Sequence, residues 1–205
     1  MNKPSEIPAG IEGRLSTRDL LIRAGVEQCT EGGFQMTGIE TILRAVGVPK
    51  GSFYHYFKSK KAFGLAVVDA YADFFHRKLQ RIFSDEQTPP LGRLRNFVSE
   101  AVSGMSRYAF RRGCLVGNLG QELAGLDDEF RRRLEEVLRA WEAQTRRCLE
   151  QAQAAGELRK EANAGELAEF FWIGWEGAIL RAKLTRSARP MHLFSDCFFK
   201  QVATR

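Results

Sequence analysis

Apolar positions recur at helical spacing from the start of this chain, and glycine and proline cut the pattern into segments. Leu20, Leu21, Ala24, Val26 and, further on, Phe34 make a first apolar stripe, and Gly32-Gly33 supplies its C-terminal stop. Thr37 with Glu40 three residues later reads as a capping box that opens a second helix. Ile39, Ile42, Leu43 and Val46 form the buried side of that helix, and Gly47 closes it. Pro49, with no amide hydrogen and a fixed φ, suits the first turn of a short third helix over 50–57. Beyond Phe63 the spacing predicts helices over 59–83, 91–110, 114–124, 127–155, 164–187 and 190–202. Pro89-Pro90 ends the turn after the first of these, and Gly156 stops the long charged one. Strand-like alternation of any length is missing, so the chain reads as all-α with about nine helices.

Helix, tight glycine turn, short second helix is the plan of a helix-turn-helix, whose second helix enters the major groove. The short element is dense in Lys, Ser, Tyr and His, and Lys58, Lys60 and Lys61 follow it. Ammonium groups beside short polar and aromatic donors suit phosphates and base edges together. An ordinary three-helix core with a polar surface would show the same spacing.

The segment TGIETILRAVGVPKGSFYHYFKSKKAFGLAV, 37–67, also resembles the DNA-binding domain of the TetR family of bacterial repressors. Gly51, Tyr54, Phe57, Ser59 and Lys60 match its Gly-x-x-Tyr-x-x-Phe helix and Ser-Lys opening, while Leu43 and Val46 are apolar departures from its commonest form. The resemblance implies an N-terminal three-helix helix-turn-helix head joined to a helical ligand-binding and dimerisation body. It divides the chain into an arm over 1–14, a DNA-binding domain over 15–62 and a body over 63–205. Chemistry and resemblance together assign Thr37, Tyr54, Tyr56 and Lys60 to phosphates, and Lys50, Ser52 and His55 to base edges. Phe53 and Phe57 are expected in the core.

Composition alters this little. A charge of +6, from 31 basic and 25 acidic residues among 205, permits nucleic-acid binding without demanding it. Residues 1–10 lack the apolar stretch of a signal peptide, and the apolar run around 170–180 is broken by Glu176 and too short to span a bilayer. The expected setting is cytoplasmic and nucleoid-associated, with no membrane partner. Cys29, Cys114, Cys148 and Cys197 are scattered, without metal spacing, so neither a disulfide framework nor a metal site is expected. No cofactor is expected either.

Two places in the body carry chemistry. At about 100° per residue, Trp172, Trp175, Glu176, Ile179 and Lys183 fall on one side of their helix, and Phe170, Gly174, Gly177 and Arg181 on the other. Glycines on that second side suit the close approach of another helix, as in subunit packing. Two indoles, a carboxylate and an ammonium on one face read either as a ligand pocket or as a Glu176–Lys183 arrangement inside an aromatic core. Cys114 follows Arg111-Arg112-Gly113 and stands at a predicted helix start. It is either a small buried hydrophobe or a thiol made reactive by the helix N-terminus and nearby cations. Cys29, Cys148 and Cys197 are read as inert core.

The segments RRGCLVGNLGQELAGL and FWIGWEGAILRAKL are similar to those of acrylate-responsive TetR-type repressors, and less closely to electrophile-sensing ones. The resemblance implies a ligand-responsive repressor that binds a palindromic operator as a homodimer through its last two helices. Leu193, Phe194, Phe198 and Phe199 are candidates for that contact. Acrylate or another small electrophile would release the operator. Trp172 and Trp175 would wall the pocket, and Asn118, Gln121, Glu122 and Glu176 would add polar groups. Lys183 would pair with an inducer carboxylate or stabilise the Cys114 thiolate. One alternative is a sensor acting through covalent modification of Cys114. Another is a minor enzyme adding thiols to electron-poor alkenes. With no base evident beside Cys114, a non-enzyme is expected and no catalytic residue is assigned.

Overall fold

Each helix begins and ends where a backbone group needs help. In the computed structural model, which describes residues 15–203, α1 (Thr17–Gly32) starts where the Ser16 hydroxyl accepts the Asp19 amide at 3.2 Å. The proposed arm over 1–14 lies outside the described residues. Gly33, at φ +85°, ends α1, and Gly47, at φ +73°, ends α2 (Ile39–Val46). α3 (Lys50–Tyr56) follows Pro49, and the Ser59 hydroxyl accepts the Ala62 amide at the start of α4 (Lys60–Phe83). α5 (Pro90–Arg107), α6 (Leu115–Leu123), α7 (Asp128–Ala154), α8 (Ala164–Thr185) and α9 (Arg189–Val202) complete nine helices among the described residues. None is long and apolar enough to cross a membrane.

Two local expectations fail. The capping box at Thr37 does not form: Gly38 is the N-cap of α2, and the Thr37 hydroxyl donates instead to the Gly33 carbonyl at 2.5 Å. The helix expected over 91–110 stops at Arg107. Ala109 and Phe110 then take φ +49° and +55°, and the Phe110 amide turns back to the Met105 carbonyl at 2.9 Å.

The described residues of 1–74 and 114–134 form one compact unit, and those of 75–113 and 135–205 a second. In the first, Phe53, Phe57 and Phe63 form a ring cluster with centroids 5.0–5.5 Å apart, and Leu21, Ile42 and Val67 are fully buried in the same unit. α1 and α4 meet at Gly25, where a Cβ would lie 2.5 Å from Phe63 and 2.6 Å from Val67. α6 packs against α1 within this unit.

The second unit is built on aromatics. Phe97 lies within 5.6–6.2 Å of the rings of Phe171, Trp172 and Trp175, and Trp141 stands 4.9 Å from Trp172. α9 lies along α8. A Cβ at Gly174 would run into the Phe194 ring, so this glycine admits a helix of the same chain, not of a second subunit. Arg93, buried, donates to the carbonyls of Phe83 and Thr88 and to Gln151 Oε1, which fixes the α4–α5 connection.

Candidate functional site

α3 buries one side and offers the other. Phe53 and Phe57 are in the core, while Lys50, Tyr54, His55 and Tyr56 are exposed and Ser52 is half-buried. An exposed Lys-x-x-x-Tyr-His-Tyr surface carries ammonium, hydroxyl and imidazole groups at the lengths that reach phosphate oxygens and base edges. Lys50 is engaged already: its Nζ lies 3.8 Å from Glu40 Oε1 on α2, an exposed pair worth little in water. The sequence singled out Glu40 as a capping residue for α2 and not as the carboxylate that faces Lys50, a residue assigned to base edges. The only signal for that pairing was its position, near the start of α2.

The residues assigned to phosphates are placed differently from one another. Tyr54 and Tyr56 are exposed, 52% and 38% respectively. Thr37 is buried and its hydroxyl is committed to the Gly33 carbonyl, so its side chain supports the α1–α2 turn. Lys60 is half-buried, donates to the Gln35 carbonyl at 3.1 Å and stands 4.9 Å from the Phe34 ring centroid. Its neighbour Lys61 is held by carboxylates, with Asp127 Oδ2 at 2.7 Å and Glu129 Oε2 at 2.9 Å. Those bonds, to Asp127 first, push the Lys61 ammonium above its ordinary value and hold the Asp127 carboxyl below its own.

The eight sensing candidates divide between the two units. Cys114, Asn118, Gln121 and Glu122 belong to the first, and Trp172, Trp175, Glu176 and Lys183 to the second. Cys114 is the buried N-cap residue of α6. Asn118 and Glu122, one and two turns on, point to the helix-turn-helix head. Asn118 Nδ2 donates to the carbonyls of Cys29 (3.3 Å) and Thr30 (2.9 Å), the closing carbonyls of α1. The Glu122 carboxylate accepts the amides of Phe34 at 2.7 Å and Gln35 at 2.5 Å. Both side chains are thus spent on the head. Gln121 is exposed.

Trp172 and Trp175 are 2% and 1% exposed, members of the aromatic core, and the Trp172 indole donates to Thr145 Oγ1 at 2.9 Å. Glu176 and Lys183 are half-buried on α8. Of the cysteines read as inert, Cys29 and Cys148 are buried, and desolvation pushes their thiols up to about 11 and about 12. Cys197 is exposed, against expectation, because it falls on the outer side of α9. Phe198 and Phe199 are buried within their own chain, leaving Leu193 exposed and Phe194 half-buried over Gly174.

Residues 21–67 match the model of bacterial regulatory proteins of the tetR family, and residues 90–198 that of the tetracyclin repressor-like C-terminal domain. The transcriptional regulator AcuR of Cereibacter sphaeroides is 50% identical over 198 residues, covering 97% of this chain and 90% of that protein. The transcriptional repressor NemR of Escherichia coli K12 is 29% identical, covering 85% and 88%. The crystal structure of a regulatory protein TetR from Rhodobacter sphaeroides superposes with a TM-score of 0.87 at 51% identity, covering 90% of this chain and 97% of that one. The second family model spans most of the body and the first the exposed face of α3; the chain belongs to the TetR family and is a DNA-binding transcriptional repressor.

Proposed function

We propose that this repressor binds a palindromic operator as a homodimer and is released by a small electron-poor alkene such as acrylate, or by a related electrophile. The observation that carries the inducer class is the resemblance of 111–126 and 171–184 to acrylate-responsive repressors, beside 50% identity to AcuR across 97% of the chain. Base edges are read from the exposed Lys50, His55 and half-buried Ser52. Tyr54, Tyr56 and Lys60 hold the phosphates. Thr37 contributes through the turn it stabilises.

The dimer forms through the outer side of α8. Phe170, Ile173, Gly177, Leu180 and Leu184 recur at alternating intervals of three and four residues, and all are exposed. That is the seam spacing of two helices packing at a shallow angle. A palindromic operator offers two half-sites about one DNA turn apart, one for the recognition helix of each subunit. The protein works in the cytoplasm, at the nucleoid.

Sensing is assigned to Cys114, on α6, and to Lys183, an ammonium on α8 suited to a carboxylate inducer. Because Cys197 is exposed as well, a thiol-reactive inducer has two candidate targets. Operator release should therefore be titrated with acrylate, N-ethylmaleimide and hypochlorite on wild type, Cys114→Ser, Cys197→Ser and the double variant. We expect acrylate to release wild type and Cys197→Ser alike. A Cys114→Ser protein that still responds normally to acrylate discards covalent capture and keeps reversible binding. A response to oxidant lost in Cys114→Ser and the double variant but kept in Cys197→Ser favours the second reading, thiol modification. Failure of all three compounds to lower operator affinity sinks the inducer class.

A further inference from the structure

The turn between α1 and α2 is gripped on both sides of one residue. Gln35 gives its amide hydrogen to Glu122 Oε1 at 2.5 Å, and its carbonyl accepts from Lys60 Nζ at 3.1 Å. Phe34 repeats the pattern, with its amide on Glu122 Oε2 at 2.7 Å and its ring under the Lys60 ammonium. Two consecutive amides aimed at one carboxylate make a small anion-binding concavity in the backbone. Gly33 permits it twice over: its φ is +85°, and a Cβ there would lie 2.9 Å from Glu122 Oε2.

The carboxylate is 88 residues from the turn in sequence and sits on α6, yet both belong to the same compact unit. Cys114, Asn118 and Glu122 are spaced by four, so they share one side of α6. Asn118 secures the last carbonyls of α1 from that same side.

We infer that Glu122 is a positioning residue for DNA binding. It fixes the Phe34–Gln35 backbone, and the Gln35 carbonyl in turn orients the Lys60 ammonium toward a DNA phosphate. An ammonium has three donors, and the bond to Gln35 uses one of them while setting the direction of the others. The inference rests on the assignment of Lys60 to phosphate and is independent of which compound is the inducer.

Operator affinity measured across a salt series tests both statements separately, using wild type, Lys60→Ala, Glu122→Gln and the double variant. Glutamine turns a donor toward one of the two amides, so Glu122→Gln weakens operator binding roughly tenfold. It also lowers the salt slope by about 0.9, as loss of one phosphate contact does. Lys60→Ala gives the same slope, and the double variant falls no further. A wild-type slope in Glu122→Gln beside a reduced slope in Lys60→Ala overturns the inference alone. An unchanged slope in Lys60→Ala removes the phosphate assignment and the inference with it. Should Glu122→Gln fail to fold, amide exchange in wild type decides the clamp: we expect Phe34 and Gln35 to be protected. Exchange at free-peptide rates would refute it.

Discussion

Thr145 shows how much one hydroxyl can organise. It is fully buried on α7, donates to the Trp141 carbonyl at 3.0 Å and accepts the Trp172 indole N–H at 2.9 Å. Its donor bond is local, four residues back, but its acceptor bond ties α7 to α8 among the buried aromatics. Thr145→Val keeps the volume and strands the indole hydrogen, which costs about 1–3 kcal/mol. Thermal unfolding should show a fall of roughly 2–4 °C per kcal/mol for a chain of this size. An unchanged midpoint would mean the indole finds another acceptor. Trp172 and Trp175 also mark where sequence reasoning ran out. Aromatics at helical spacing look alike whether they line a cavity or fill a core, and only the neighbours Phe97 and Trp141, distant in sequence, decide for the core.

Most helices were legible as elements, because glycine and proline stops reflect backbone chemistry local to each end. Gly33, Gly47 and Gly156 all take positive φ where an ending was read. The ending of α5 was not legible, since Tyr108-Ala109-Phe110 contains no residue that favours the left-handed region. Ala109 and Phe110 occupy it nonetheless, braced by the Arg186 guanidinium on the Phe110 carbonyl at 2.8 Å. A non-glycine residue there costs about 1 kcal/mol. Ala109→Gly relieves that cost against a small gain in unfolded-chain entropy, so we expect it to stabilise by about 0.5 kcal/mol. A denaturant midpoint that moves downward would count against strain at this turn. α6 was half legible. The spacing of Cys114, Asn118 and Glu122 gives a shared side, but what that side meets depends on the α1–α2 turn, about ninety residues earlier, and no local signal carries such a pairing.

For the molecule as a whole, the outer side of α8 matters most. TetR-family regulators act as dimers, and Phe170, Ile173, Leu180 and Leu184 form an exposed apolar stripe on α8, the surface proposed above for that contact. Ile173, 66% exposed in the single chain, stands within the stripe. Ile173→Glu puts a carboxylate where a second copy would desolvate it, weakening self-association roughly a hundredfold or more. Sedimentation should then show monomers that retain their helical content and bind operator far more weakly. A dimer of undiminished affinity would move the contact elsewhere. The aromatic core of the second unit also bears on how the repressor can be watched. All three tryptophans lie within it, with Trp141 and Trp172 only 4.9 Å apart, whereas the first unit contains none. Intrinsic indole emission therefore follows the body alone. A melt recorded by that signal does not observe the recognition helix directly, because the ring side chains of α3 are Phe53, Tyr54, His55 and Tyr56 and none is an indole.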